Sequence, residues 1–148
     1  MPELFWAIVE QPHFVKAGKD NLEQKGLRFF ETVEEAVAWK SPDVCLLSAV
    51  LQYLDDPDKF LEKIWRTGAP WVVLDKVIVN RLGHDQVYVQ QVPPSIYPGS
   101  YPCRSFAEDK LLQKIPVSYE MLSEFESLSF PALRRIRAEF KGYIFRKK

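Results

Sequence analysis

Four short apolar runs, separated by segments with helical periodicity, constrain the fold of this 148-residue chain more than any other feature. Each run is continuously hydrophobic rather than alternating, which is typical of strands covered on both faces in a parallel sheet. The runs are residues 5–9, Leu27–Phe30, Val44–Ser48 and residues 71–74. Their alternation with helical segments predicts a doubly wound α/β sheet with right-handed crossovers.

Two of the intervening segments carry clear signals for the start of a helix. Thr32 and Glu35 form a capping-box pattern, in which each side chain satisfies a backbone donor of the first turn. Asp56 is a typical N-cap, and Pro57 suits the first helical position because its missing N–H is not needed there. Phe60, Leu61, Ile64 and Trp65 follow at helical spacing, and Gly68 is expected to end this second helix. The segment before residue 26 predicts only a short polar helix, over residues 20–24.

The second half of the chain has a different character. Residues 76–116 are rich in proline and predict an inserted, lid-like segment, with one strand over residues 85–92 and an irregular loop after it. Ser118 is expected to begin a helix whose apolar face comprises Met121, Leu122, Phe125 and Leu128.

Two alternating runs, residues 133–140 and 143–147, close the chain. The Lys141-Gly142 pair between them indicates the turn of an antiparallel hairpin. With no internal repeat and no interdomain linker, residues 1–148 are expected to form one domain.

Composition excludes several classes of function. The chain is 47% hydrophobic with a formal net charge of zero, so it is expected to be globular, with no electrostatic basis for binding nucleic acid or an acidic membrane surface. It has neither a signal-peptide pattern nor an apolar run long enough to span a bilayer, and it has two isolated cysteines, all of which predict a cytoplasmic protein. His13 and His84 have no ligand-like neighbours, so no metal site is predicted.

Polar side chains follow the predicted strands, where open α/β sheets bind their ligands. These candidates are Glu10, Glu31, Ser48 with Gln52 and Tyr53, and Asp75. A carboxylate in the position of Glu10 can accept hydrogen bonds from both hydroxyls of a nucleotide ribose, although an ordinary strand-end residue is the alternative. Asp75 is the best-placed candidate for a catalytic base, with the same alternative.

Four segments carry a resemblance to a known family: FWAIVEQP, DVCLLSAVLQYLDDP, WVVLDK and VYVQQVPPSIYPGSYPC. The chain resembles class I S-adenosylmethionine (SAM)-dependent methyltransferases that are found among genes for surface polysaccharide synthesis. The resemblance extends from Phe5 to the C-terminus. It implies a Rossmann-like sheet, mostly parallel with a C-terminal antiparallel hairpin, and transfer of a methyl group from SAM to a small-molecule or glycan-linked acceptor.

The resemblance also implies two sets of binding residues. The cofactor set is Glu10 at the SAM ribose, Phe30 and Glu31 near the adenine, and Ser48, Gln52 and Tyr53 near the methionine end. The acceptor set is Gln90, Tyr97 and Tyr101, which would cap the acceptor site.

The sequence departs from the family pattern in two places. Lys76 stands where the family tends to have arginine, and a lysine cannot make the bidentate contact of a guanidinium. The family's first strand and glycine-rich turn are missing, so the domain is expected to be truncated at its N-terminus. The chain would have to pair the neighbouring strands directly, borrow a strand from a partner, or be a fragment.

This second departure leaves the function open. An active methyltransferase is one hypothesis, and if the chain is complete, SAM binding is expected to be weak or absent because half of the cofactor contacts are missing. The alternative is a non-catalytic, methyltransferase-like relic or interaction module that forms a homodimer through exposed strand edges.

Overall fold

A computed structural model describes residues 3–127, 133 and 135–148 of the chain. Strands and helices alternate in the first half of the described chain, and strands predominate in the second half. In chain order the elements are β1 (Trp6–Val9), α1 (Pro12–Asn21), β2 (Leu27–Phe30), α2 (Val33–Trp39), β3 (Val44–Ser48), a 3₁₀ turn (Leu51–Tyr53), α3 (Pro57–Arg66), β4 (Trp71–Asn80), β5 (Gln86–Gln91), β6 (Ser100–Ala107), α4 (Glu108–Gln113), β7 (Tyr119–Glu126) and β8 (Ala138–Lys147).

The strands form two sheets. Strands β1 and β2 pair in parallel as a two-stranded sheet, and the other six form a second sheet in the order β5-β6-β4-β8-β7, with β3 also paired to β4. Strand β4 is parallel to β3 through its first half and to β6 at its end, while β8 lies antiparallel along its length. The described pairs are therefore equally divided between parallel and antiparallel, so the predicted α/β fold is present but is less parallel than expected.

Helices α2 and α3 begin where the sequence predicts. The Thr32 hydroxyl accepts a hydrogen bond from the Glu35 N–H at 3.2 Å, and the Asp56 carboxylate accepts one from the Lys59 N–H at 3.0 Å. Helix α3 ends just before Gly68, which has a φ of 69°. Its buried side chains pack into the main core with β4 and β8, so the apolar spacing predicted for this helix is confirmed.

Helix α1 differs from the prediction, because it spans Pro12–Asn21 rather than residues 20–24. Pro12 starts the helix. Its buried residues are Val15 and Gly18, so the sequence has too few apolar residues at helical spacing to indicate the full length of the helix. The Phe29 ring packs on Gly18, whereas the Phe30 ring lies 5.6 Å from the Trp39 ring of α2. Because successive side chains of a strand point to opposite faces, α1 and α2 cover opposite faces of the β1–β2 sheet.

The predicted helix after Ser118 is wrong, because residues Tyr119–Glu126 form strand β7, paired antiparallel with β8. The Tyr119 hydroxyl donates to the Ala69 carbonyl at 2.8 Å and fixes the start of the strand. A register shift between Met121 and Ser123 disturbs the alternation of side chains, and Met121 and Leu122 are both exposed. These two residues therefore do not form the buried apolar face of a helix. Leu128 lies outside the described residues.

The predicted C-terminal hairpin is also wrong in its members. Strand β8 runs without a turn through Lys141 and Gly142, and its antiparallel hairpin partner is β7. A strand glycine can mark a bulge or a close approach of another group instead of a turn. Gly142 marks a bulge, since it lies opposite the register shift of β4 between Leu74 and Val77. It also allows a close approach, because the Phe125 ring packs where a Cβ would be.

The predicted inserted segment over residues 76–116 is more regular than expected. Residues 76–80 complete β4, and β5 confirms the predicted strand near residues 85–92. The irregular loop ends at Gly99, after which β6 pairs antiparallel with β5. Proline does not prevent this pairing. Pro102 has no N–H to donate to the ladder, but it lies in the outermost pair of strands, where proline is tolerated.

We predict that Gly142→Ala destabilises the fold by about 1–3 kcal/mol, because the new methyl group overlaps the Phe125 ring. The measurement is the free energy of unfolding from urea denaturation. Phe125→Ala removes the obstructing ring, so adding Gly142→Ala to it should cost less than in the wild type. Strictly additive free energies in this double-mutant cycle would contradict the packing described above.

Candidate functional site

Ser48 and Asp75 lie side by side at the carboxyl ends of β3 and β4, where they are register partners. The Ser48 hydroxyl donates to Asp75 Oδ2 at 2.8 Å, and the Ser127 hydroxyl donates to Oδ1 at 2.8 Å. Lys76 Nζ lies 3.9 Å from Oδ2. Both carboxylate oxygens of Asp75 are therefore engaged by neighbouring side chains.

These contacts decide the protonation of Asp75. Partial burial opposes the charged form, but the hydrogen bonds from Ser127 and Ser48 and the nearby Lys76 ammonium outweigh it and lower the pKa of Asp75. A carboxylate with a lowered pKa is a weak base at neutral pH. The geometry therefore favours Asp75 as a fixed, charged anchor and offers no support for the predicted role as a catalytic base.

The backbone turns sharply around this anchor. Ala49 and Lys76 have φ values of 54° and 52°, and the Ala49 N–H donates to the Asp75 carbonyl at 2.9 Å. Such left-handed conformations of residues other than glycine cost free energy and often occur at functional sites. Gln52 Nε2 donates to the Lys76 carbonyl at 3.1 Å, which ties the 3₁₀ turn to this bulge. Gln52 is buried, and its Oε1 has no hydrogen-bond partner among the described residues.

The acceptor set meets the cofactor set at Tyr53. The Tyr53 hydroxyl donates to Gln90 Oε1 at 3.1 Å, and Gln90 Nε2 donates to the Tyr101 hydroxyl oxygen at 3.1 Å. The Tyr53 and Tyr101 rings pack edge to face with centroids 5.5 Å apart. The Tyr97 ring packs over Gly99 and is half exposed. The strand pair β5–β6 thus brings Gln90 and Tyr101 together with Tyr53 of the 3₁₀ turn.

The tyrosines of this cluster remain protonated at neutral pH. Burial, with contributions from neighbouring Cys103 and Tyr101, raises the pKa of Tyr53. Burial and the neighbouring Tyr97 likewise raise the pKa of Tyr101. Tyr101 accepts from Gln90 and is therefore suited to donate its own O–H to a ligand, whereas the O–H of Tyr53 is already donated to Gln90. Both phenol groups are poorly suited to remove a proton from a ligand.

The remaining cofactor residues lie at the ends of β1 and β2. The Glu10 N–H donates to the Phe30 carbonyl at 3.1 Å, and its exposed carboxylate accepts a hydrogen bond from the Gln11 N–H at 3.1 Å. Glu31 is exposed, and its N–H donates to Glu35. The Phe30 ring is half-buried against Trp39. Glu10, Phe30 and Glu31 therefore form one group, apart from the group around Ser48.

A cleft of about 590 Å³ separates these two groups. Strand β1 forms one wall and β3 the other, and side chains of α2 and α3 line it as well. Its lining includes Val9, which precedes Glu10, and Leu47, which precedes Ser48, but none of the six residues of the cofactor set. Within residues 3–127, no glycine-rich turn follows a strand.

Sequence reasoning missed two parts of this region. Ser127 carries no local signal, since its contact with Asp75 depends on β7 pairing with β8. The second part is a buried ion cluster, in which Lys141 Nζ lies 2.5 Å from carboxylate oxygens of both Glu108 and Glu124. The Tyr143 hydroxyl donates to Glu108 at 2.9 Å. A lysine inside the apolar run EFKGYIF is the available signal for this cluster, although the Lys141-Gly142 pair on its own favours a turn.

No group of three or more His, Cys, Asp or Glu side chains is arranged to hold a metal ion in the described ranges. None of the helices that the structure describes is long and apolar enough to cross a membrane.

Comparison with known proteins shows the fold. No family model matches the chain, and no curated protein matches it. Among solved structures it is similar to 1,6-didemethyltoxoflavin-N1-methyltransferase of Burkholderia thailandensis, crystallised with 1,6-didemethyltoxoflavin and S-adenosylhomocysteine, with a TM-score of 0.54 and 14% sequence identity. The match covers 95% of this chain and 58% of that protein, so this chain spans a little over half of the neighbour's length. The α/β fold is therefore one that a methyltransferase uses.

We predict that Ser127→Ala raises the pKa of Asp75 toward the ordinary aspartate value of about 3.9, because one hydrogen bond to the charged form is lost. Carboxyl-detected NMR titration measures this pKa, and the exposed Ser123→Ala serves as the control.

The same change should alter the acid sensitivity of the fold. The folded pKa of Asp75 is below its unfolded value, so this carboxylate stabilises the protein above that unfolded value, and the stabilisation disappears as the pH falls through the folded pKa. Ser127→Ala should reduce this stabilisation. An unchanged Asp75 pKa in the variant would contradict the geometry of the anchor.

Proposed function

We propose that this chain is a SAM-dependent methyltransferase domain that acts on a small-molecule or glycan-linked acceptor in the cytoplasm, in the synthesis of surface polysaccharide. The observation that carries the proposal is the hydrogen-bonded series Tyr53–Gln90–Tyr101 at the carboxyl end of β3. The proposal is also supported by the similarity of the fold to that of a methyltransferase crystallised with S-adenosylhomocysteine. In this proposal the β5–β6 pair acts as the lid of a single domain.

Two features of the site suit parts of the cofactor. The exposed Glu10 carboxylate has lone pairs left to accept hydrogen bonds from two vicinal ribose hydroxyls. Gln52 Oε1 is a buried acceptor that lacks a partner in the described chain, and an ammonium group at the methionine end would supply the missing donor. Phe30 and Glu31 would border the adenine, and Ser48 would border the methionine end.

When bound, SAM supplies an activated methyl group, and the residues of this chain position the two reactants. Tyr53 would contact both ligands, and the acceptor set would orient the acceptor above it. Orientation of this kind accounts for much of the rate enhancement in bimolecular transfers. Asp75 would hold Ser48 and the bulge in place, because its lowered pKa suits a fixed charge better than proton removal.

A second candidate function is a non-catalytic, methyltransferase-like interaction module. The observation that favours it is the cleft between β1 and β3, whose strands each pair on one edge only within the described chain. In this alternative the fold is retained without methyl transfer.

Calorimetric titration with S-adenosylhomocysteine distinguishes the two candidates. We predict weak, saturable binding that Glu10→Ala abolishes, because the ribose hydroxyls lose their acceptor. Glu62→Ala is the matched control, since Glu62 is an exposed glutamate of α3 that pairs only with Arg66 in the described chain. The absence of heat at millimolar ligand, or equal binding by both variants, would contradict the methyltransferase proposal and favour the interaction module.

A further inference from the structure

Lys76 occupies a backbone position that favours glycine. Its φ is 52°, and this left-handed conformation costs a residue with a Cβ free energy that glycine would not lose. The position belongs to the bulge of β4, where Asp75 and Lys76 lie opposite the single Gly142. Strain of this kind is concentrated at functional sites. A lysine here is therefore explained better by its side chain than by its backbone.

The ammonium group of Lys76 is not satisfied within the described chain. Its ion-pair partner is Asp75, but Nζ lies 3.9 Å from Oδ2, which is beyond hydrogen-bond distance. That oxygen accepts from Ser48, and the other accepts from Ser127. Lys76 Nζ donates no hydrogen bond to any residue that the structure describes. The side chain is 38% exposed, so its three N–H donors are available to a ligand.

Lys76 is connected to the acceptor set through two consecutive residues of the 3₁₀ turn. Its carbonyl accepts a hydrogen bond from Gln52 Nε2 at 3.1 Å, and Tyr53 follows Gln52 in the turn. Tyr53 in turn donates to Gln90. Because lysine has a flexible four-carbon stem, the Lys76 ammonium can reach a ligand held at Tyr53.

The charges of this region favour a ligand with one negative charge. Tyr53 and Tyr101 are neutral at pH 7, because their pKa values are raised, and Gln90 carries no charge. Asp75 is negatively charged and lies beside Lys76. A single carboxylate can pair with the ammonium, whereas Asp75 would oppose the second charge of a phosphate monoester.

The neighbouring side chains suit the remainder of a sugar. Tyr53 and Tyr97 are both exposed, so their rings present apolar surface to a ligand. Gln90 Oε1 and Nε2 each make one hydrogen bond to a tyrosine, and each can make one more. A sugar ring has apolar C–H faces and hydroxyl groups at its edge, so it matches both features.

We propose that the acceptor is an acidic sugar, whose carboxylate pairs with the Lys76 ammonium while its ring lies against Tyr53 and the acceptor set. This inference rests on the proposed function, since it names the class of acceptor that the same site would take. It assigns Lys76 as a substrate-binding residue.

The test is an amide NMR titration of the full chain in the absence of SAM. The three probes are methyl α-glucuronoside, its neutral counterpart methyl α-glucoside, and methyl α-glucoside 6-phosphate. We expect saturable shifts at Tyr53 and Lys76 with the glucuronoside. The glucoside should bind about tenfold more weakly, because it lacks the charged partner of Lys76, and the phosphate should also bind more weakly than the glucuronoside.

Three variants identify the group responsible. Lys76→Gly removes the ammonium and relieves the backbone strain, so it should be at least as stable to urea as the wild type but bind the glucuronoside about tenfold more weakly. Lys76→Arg keeps the charge and should keep the preference for the glucuronoside. Lys110→Met removes one positive charge from an exposed position of α4, so it controls for net charge and should bind as the wild type does.

Several outcomes would overturn the proposal. These are no binding of the glucuronoside, equal affinities for the glucuronoside and the glucoside, tighter binding of the phosphate, or unchanged binding in Lys76→Gly. The comparison of probes needs only the wild-type chain, so it decides the matter even if Lys76→Gly fails to fold. Because the titration contains no SAM, binding of S-adenosylhomocysteine without a preference for the glucuronoside would refute the acidic-sugar acceptor and leave the proposed function standing.

Discussion

The structure depends on the way strand β4 changes partners at its bulge. Its first half lies between β3 and β8, and beyond Lys76 it continues to pair with β8 and then meets β6. The bulge places two residues, Asp75 and Lys76, opposite the single Gly142. This extra residue allows the Asp75 carboxylate to be held by Ser48 on one side and Ser127 on the other. The candidate site and the lid strands are thereby joined to one core strand.

In the first half of the fold, helices α2 and α3 were predictable because their signals are local. Caps at Thr32 and Asp56 and the apolar spacing of α3 depend on neighbouring residues, and the structure confirms them. In the second half, β7 and β8 were mispredicted because their determinants are distant in the sequence. Gly142 resembles a turn residue until Phe125 is known to pack on it, and Met121 and Leu122 resemble a helix face until β8 is known to pair beside them.

In the candidate site, too, the features with local signals were predictable and those that depend on tertiary contacts were not. The rule that ligands bind beyond the carboxyl ends of strands selected Ser48, Gln52 and Tyr53, and the structure places Tyr53 beside the predicted Gln90 and Tyr101. The rule could not show that Asp75 is held by Ser127, because that contact depends on tertiary structure. Nor could it show that β1 and β3 leave a cleft, since continuous apolar runs predict covered strands, whereas Trp6 and Leu46 are about half exposed.

Residue-resolved amide hydrogen exchange tests this account most directly, because neighbouring residues of the two cleft walls should behave differently. We predict fast exchange at Ala7, Val9, Val44 and Leu46, whose N–H groups lie on strand edges that have no partner strand in the described chain, and slow exchange at Ile8, Cys45 and Leu47, whose N–H groups pair within the sheets. Equal protection of both sets would contradict the account, because it would mean that the two strand edges are paired and the cleft is closed.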